Sequence, residues 1–286
     1  MPTWTSTASA DVPAYEEEAR TAAETFREEN GLGIAPIADI VALIEQTQDV
    51  DVTVVGVDDS NEHGLTMVDP VRGATIVAVA SSHNPMRWRS TLAHELGHLI
   101  FRDQSNGKPG ALSVGSVVER RAQSFARHML IPLAGVRHFL ERLNEPLEMK
   151  AFSDLVQRFQ VSPAVAAIQL RDLGAINTPR YTAWSDIHTP TLSARFGWAD
   201  QYTSLQAESN QRRAPQRLLA RVITGYVAGL VSLETVASVR GVAPQDIAAE
   251  LDEAGIKPTA RMDEADEDDL LAGADPDVDL SWLEDI

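Results

Sequence analysis

Two histidines four residues apart, His94 and His98, stand in the stretch TLAHELGHLIF at 91–101, with Glu95 directly after the first. At about 100° per residue, a helix puts the two imidazoles about 40° apart on one face and Glu95 about 60° beyond His98. Both imidazoles can then reach one metal ion while the carboxylate stands beside it. This arrangement suits zinc-assisted hydrolysis. The metal lowers the pKa of a water molecule to roughly 7, and the neighbouring carboxylate takes the proton as the water attacks a peptide carbonyl. Leu92, Leu96 and Leu99 fall on the opposite face, so the helix has a packing side and a chemical side. The plain alternative is a buried helix with two hydrogen-bonded histidines.

A third ligand separates the two readings, because catalytic zinc keeps three protein ligands and one open position. The chain has no cysteine, so that ligand must be His, Asp or Glu, and neither a thiolate site nor a disulfide framework is available. The segment VVERRAQSFARHMLIP at 117–132 offers Glu119, which shares one helical stripe with Ala122, Ala126 and Leu130. Two alanines beside the carboxylate let this helix approach the first closely enough for a glutamate to reach the metal. Glu141 and Glu145 lack such a stripe.

The elements that must hold these residues follow from periodicity. Helical patterns cover 14–29, 36–47, 85–101, 115–130, 134–143, 151–159, 163–173, 214–229, 232–239 and 244–254. Asn84 and Pro85 supply the cap and first residue of the HELGH helix. Three β-prone runs, DVTVVGV, GLTMVD and ATIVAVA, precede it and read as a small antiparallel sheet, one strand of which is expected to be an edge along the cleft. The fold class is α+β: a zincin-like domain over 1–147, a helix-turn-helix-like segment over 148–178, a helical region over 179–256 suited to partner docking, and an acidic tail over 257–286 expected to be disordered.

RSTLAHELGHLIF, ERRAQSFARHMLIP and LVQRFQVSPAVAAIQLRDLGAI resemble, in order and spacing, the ImmA/IrrE family of zinc metallopeptidases over about 30–176. The resemblance implies His94, His98 and Glu119 as Zn2+ ligands and Glu95 as general base. It further implies limited proteolysis of a helix-turn-helix repressor, releasing phage, mobile-element or stress-response genes. Gln123 stands where the family usually has asparagine.

The chain of 286 residues carries a formal charge of −18, which opposes nucleic-acid binding over its whole surface. Eleven acidic residues lie between Asp263 and Asp285, past the last basic residue, so the chain before them carries only −7. Within DVDLSWLEDI, Leu280, Trp282, Leu283 and Ile286 allow a second reading of the tail as a docking or self-inhibitory peptide. Two segments, 159–174 and 218–256, have helix-turn-helix spacing, but their second helices are poor in basic residues, and only Arg212, Arg213, Arg217 and Arg221 cluster. Docking or structural helices are the better reading than DNA binding. His63, His83, His128 and His138 read as surface or packing residues. Tyr181, His188 and Tyr202 are candidates for stabilising the oxyanion. No secretory signal or membrane span is legible, which points to the cytoplasm. A non-proteolytic regulator with a structural metal site, binding a partner or DNA through its C-terminal helices, is the competing function.

Overall fold

The computed structural model describes residues 12–56, 64–68, 75–103 and 115–259, which form two compact units divided between Gln216 and Arg217. The first unit opens with α1 (Ala14–Glu29) and α2 (Ile40–Gln48). Ala19, Ala23, Phe26 and Arg27 make one buried stripe on α1, and the small residues let it lie flat against a later helix. Helix α2 begins at Ile40 rather than 36, because Asp39 caps it by accepting from the Ala42 amide at 2.9 Å.

Strands β1 (Asp51–Val55), β2 (Gly64–Val68) and β3 (Thr75–Ala80) form one sheet in the order β1-β3-β2. The sheet is mixed, which corrects the all-antiparallel expectation: β2 runs antiparallel to β3, but β1 runs parallel to it. The most apolar run takes the centre, with Val77 and Val79 buried, and β1 pairs with its remaining side instead of forming a hairpin with β2. On its outer side β1 is met by the backbone of Arg213, which exchanges two hydrogen bonds with Val54 at 2.9 and 3.1 Å. Strand β2 pairs with β3 along one side and is the sheet's edge, with Met67 and Val68 exposed.

Helix α3 (Pro85–Phe101) starts as its sequence dictates: Asn84 accepts from the Arg87 amide at 3.1 Å and Pro85 occupies the first turn. Its apolar side, including Leu92 and Leu96, is buried. Helix α4 (Val117–Leu130) packs against both α1 and α3. A Cβ on Gly97 would lie 3.3 Å from the Ala122 Cα, so a glycine of α3 facing an alanine of α4 sets the close approach of the two.

Helices α5 (Leu133–Glu141), α6 (Met149–Phe159) and α7 (Pro163–Asp172) complete the core around Phe152, Leu155, Phe159 and Leu170. Three further helices were not expected from periodicity: α8 (Thr178–Ser185), α9 (Thr189–Phe196) and α10 (Ala199–Asn210). The first two span eight residues each, too few to display a stripe, and α10 buries only Tyr202 and Ser209. Their legible signal was Thr-Pro at 178–179 and 189–190, the start signature of a helix. Helix α10 docks on the entry to α3, where Ser209 Oγ donates to the Ser82 carbonyl at 2.7 Å.

The second unit holds α11 (Gln216–Val227), α12 (Leu233–Arg240) and α13 (Pro244–Glu253) around Val236, Ala237, Ile247 and Leu251. Among the described residues no helix is long and apolar enough to cross a membrane. His63 and the acidic residues from Asp263 onward lie outside the described residues.

Candidate metal centre

Helix α3 places His94 and His98 one turn apart, with ring centroids 4.7 Å apart and nearly perpendicular planes. Helix α4 supplies Glu119 from its first turn, where Ser116 Oγ accepts from the Glu119 amide at 3.2 Å and fixes the backbone. The Glu119 carboxylate stands 3.1 Å from His94 Nε2 and 3.5 Å from His98 Nε2, and the two Nε2 atoms are 3.0 Å apart. One ligand atom from each of the three residues thus lies within 4.8 Å of the others. Two imidazole nitrogens and one carboxylate oxygen, meeting at a point, form a donor set that a borderline divalent metal satisfies. Burial, followed by repulsion from His98, lowers the His94 pKa to about 4, against a weaker upward pull from Asp103. His94 is therefore neutral near pH 7, the state in which imidazole ligates.

Glu95 lies on the same helix but does not join this group. It is 7 % exposed, and Thr66 Oγ1 on the edge strand donates to its Oε2 at 2.7 Å. Burial pushes the Glu95 carboxyl above its ordinary pKa, against the lowering effect of the Thr66 hydrogen bond. The backbone of β2 lies directly against it: a Cβ on Gly64 would sit 2.8 Å from Glu95 Oε1 and 2.8 Å from Thr91 Cγ2.

Beyond the ligand atoms, His98 Nδ1 lies 2.8 Å from Asp103 Oδ1, and Arg121 on α4 donates to Asp103 Oδ2 at 2.8 Å. Thr66, Gly64, Asp103 and Arg121 were not singled out from sequence. Only Asp103, a carboxylate just past the end of the HELGH helix, offered a signal there. Gln123, the departure from the family pattern, faces solvent.

The remaining candidates are spread through the fold. Tyr202 is buried, its ring 6.0 Å from Trp198; Tyr181 lies under the Arg171 guanidinium at 4.4 Å; His188 is exposed before α9. His83 accepts from Gln206 through its carbonyl, and His138 lies on the exposed side of α5. His128 is buried among polar partners away from the His94–His98–Glu119 group, as its position nine residues after Glu119 implies. Of the basic cluster, Arg213 pairs with Glu45 at 2.6 Å and the Arg212 guanidinium lies against Gly56.

Residues 45–171, which contain His94, His98, Glu119 and Glu95, match the family model described as the IrrE N-terminal-like domain, peptidase M78. No curated protein matches the chain.

Proposed function

We propose, from the match of residues 45–171 to the IrrE N-terminal-like model of peptidase M78, that this chain is a zinc-dependent endopeptidase that inactivates a helix-turn-helix transcriptional repressor in the cytoplasm. The observation that carries the chemistry is the convergence of His94, His98 and Glu119 beside a buried Glu95. His94 Nε2, His98 Nε2 and a Glu119 oxygen would hold the metal. A bound zinc ion supplies water activation near neutral pH and polarises the scissile carbonyl.

The rest of the work belongs to the chain. Glu95 accepts the proton from the attacking water, and its raised pKa brings it closer to the operating pH of a general base. Thr66 holds one of its oxygens. The edge of β2, unpaired among the described residues, runs beside Glu95 and can align an extended peptide by backbone pairing. Such pairing reads little side-chain sequence, so recognition of the repressor falls to a surface elsewhere, and the unit from Arg217 onward, with its own small core around Val236 and Leu251, is our candidate for that docking.

Action on a repressor, rather than direct DNA binding, is supported by the helices that sequence spacing offered as DNA readers. Helix α7 exposes only Arg171 and Asp172, and the exposed positions of α13 include Asp246, Glu250, Asp252 and Glu253. Neither presents a basic face to phosphate.

The decisive experiment is incubation with the repressor encoded beside this gene, with and without a chelator, using wild-type enzyme and Glu95→Gln. The wild type should cleave at one linker site in a chelator-sensitive manner, and Glu95→Gln should retain stoichiometric zinc while losing about 10²–10⁴-fold in rate. Glu95→Gln activity within a few-fold of wild type would remove Glu95 from the base role. Truncation after Gln216 should slow cleavage of the intact repressor far more than cleavage of a short linker peptide. Truncation at 204 would also remove Ser209 and Arg213, which support α3 and β1.

A further inference from the structure

Resting on the metal site proposed above, we infer that Asp103 is the positioning residue for His98, fixing both the tautomer and the ring orientation in which His98 can bind metal. Arg102, just past the last turn of α3, adopts a left-handed conformation with φ of 54°. This turns the chain back on the helix, and the Asp103 amide donates to the His98 carbonyl at 3.3 Å. The reversal brings the Asp103 side chain alongside the imidazole it follows by five residues. Asp103 Oδ1 then faces His98 Nδ1 at 2.8 Å.

A carboxylate only accepts, so the proton of that contact sits on Nδ1 and leaves the lone pair on Nε2. His98 Nε2 is the atom directed at His94 and Glu119. The alternative tautomer would place a proton where the metal must be. Asp103 is itself held. Arg121 donates to its Oδ2 at 2.8 Å, donates to Glu18 on α1 at 2.7 Å, and lies 4.2 Å above the Phe101 ring. Arg121 is two positions after Glu119 on α4, so one turn of α4 carries both a ligand and the residue that anchors another ligand's support. The carboxylate–imidazole–metal arrangement typically changes metal affinity by about 10–100-fold when its outer member is lost.

The test uses full-length protein stripped of metal by chelator. The tautomer of His98 is read from two-bond nitrogen–proton correlations of 15N-labelled imidazoles, and zinc affinity from competition with a chromophoric chelator. Wild type should show His98 with its proton on Nδ1. Asp103→Ala should shift it toward the Nε2-protonated form and weaken zinc binding about 10–100-fold, with the apo protein still giving a folded amide spectrum. Glu18→Ala, which leaves the Asp103–His98 contact in place, should bind zinc within about threefold of wild type. The inference is overturned if Asp103→Ala leaves both the tautomer and the affinity unchanged while His98→Ala and Glu119→Ala abolish binding. If instead His98→Ala and Glu119→Ala bind zinc as wild type does, the metal site itself is wrong and the role of Asp103 falls with it.

Discussion

Helix α4 carries two polar clusters on opposite sides, built from the same residue types, with opposite hydrogen-bond balance. Toward α3 it offers Glu119 to His94 and His98. Toward α1 and α7 it offers Ser124, Arg127 and His128 to Glu16 and Gln169. In the second cluster donors match acceptors: Glu16 accepts from the Ser124 hydroxyl, from Arg127 at 2.5 Å and from His128 Nε2 at 2.8 Å, while Gln169 donates to the Ile131 carbonyl at 2.5 Å. In the first, lone pairs converge. With the His98 proton turned toward Asp103, its Nε2 and both Glu119 oxygens are acceptors crowded around His94. A histidine–carboxylate cluster in donor–acceptor balance is complete as protein, whereas one in which acceptors converge is suited to hold a cation.

The sharpest way to break this comparison is to remove the carboxylate from each cluster. Glu119→Ala should lose zinc affinity by more than about 100-fold, since even an outer-sphere partner accounts for that much, and peptidase activity should fall with it. Its apo stability should hold or rise, because one crowded acceptor is gone. Metal analysis after gel filtration, together with urea denaturation of the apo form, checks both halves. Undiminished zinc content would mean that another carboxylate is the third ligand.

Glu16→Ala should do the reverse. It strands the buried Arg127 charge and the His128 hydrogen bond, costing about 3 kcal/mol of stability, while zinc stoichiometry stays at the wild-type level. A lower urea midpoint with unchanged metal content is the expected pair of results.

Acid separates the clusters again. Burial pushes the Glu16 carboxyl up, but hydrogen bonds from His128 and Ser124 and the charge of Arg127 outweigh it and hold the pKa at about 2, below the ordinary 4.5. Its contribution is therefore present above 4.5 and lost as pH falls toward 2, an amount on the order of 3 kcal/mol. His94 goes from neutral to charged where Glu16 goes from charged to neutral, but the direction of stability is the same. Its folded pKa of about 4 lies below the ordinary 6.5, so the unfolded chain takes up the proton first and stability falls as pH drops from 6.5 toward 4. Urea midpoints of the apo protein between pH 2 and 7 should show both windows. Glu16→Gln should flatten the lower window and His94→Ala the upper one.

The legibility of these regions in sequence differs for the same reason. The pairing of His94 with His98 was readable because a spacing of four on a helix puts two side chains on one face, and the approach of Glu119 because its alanine stripe implied the close helix contact that Gly97 and Ala122 now display. The Asn84 cap, Pro85 and the α+β class came from local rules. Strand order did not, because β3 takes the centre by pairing with a strand on each side, a property of the assembled sheet rather than of any one run. The Glu16 network was unreadable: Glu16 and Arg127 meet across 111 positions, and nothing near either residue marks the other. His128 could be excluded from the metal by its helix face, but its partners could not be named. Helices α8 and α9 were missed because eight residues cannot show a period, although their Thr-Pro starts were visible.

The smallest effects belong to the contact between the edge strand and Glu95, and they divide the catalytic group from the ligands beside it. Gly64→Ala would place a methyl 2.8 Å from the carboxylate oxygen and 2.8 Å from Thr91, and Thr66 prevents Glu95 from simply swinging away. Thr66→Val removes the hydroxyl that holds Oε2 with little change of shape. Each should lower kcat on a linker peptide by about tenfold, or about 1.4 kcal/mol of barrier, with zinc affinity unchanged because no ligand moves. Thr66→Ser keeps the hydroxyl and should recover most of the rate. If Thr66→Val instead raised KM at constant kcat, β2 would be acting only as a binding edge, and the hold of Thr66 on Glu95 would have no part in proton transfer.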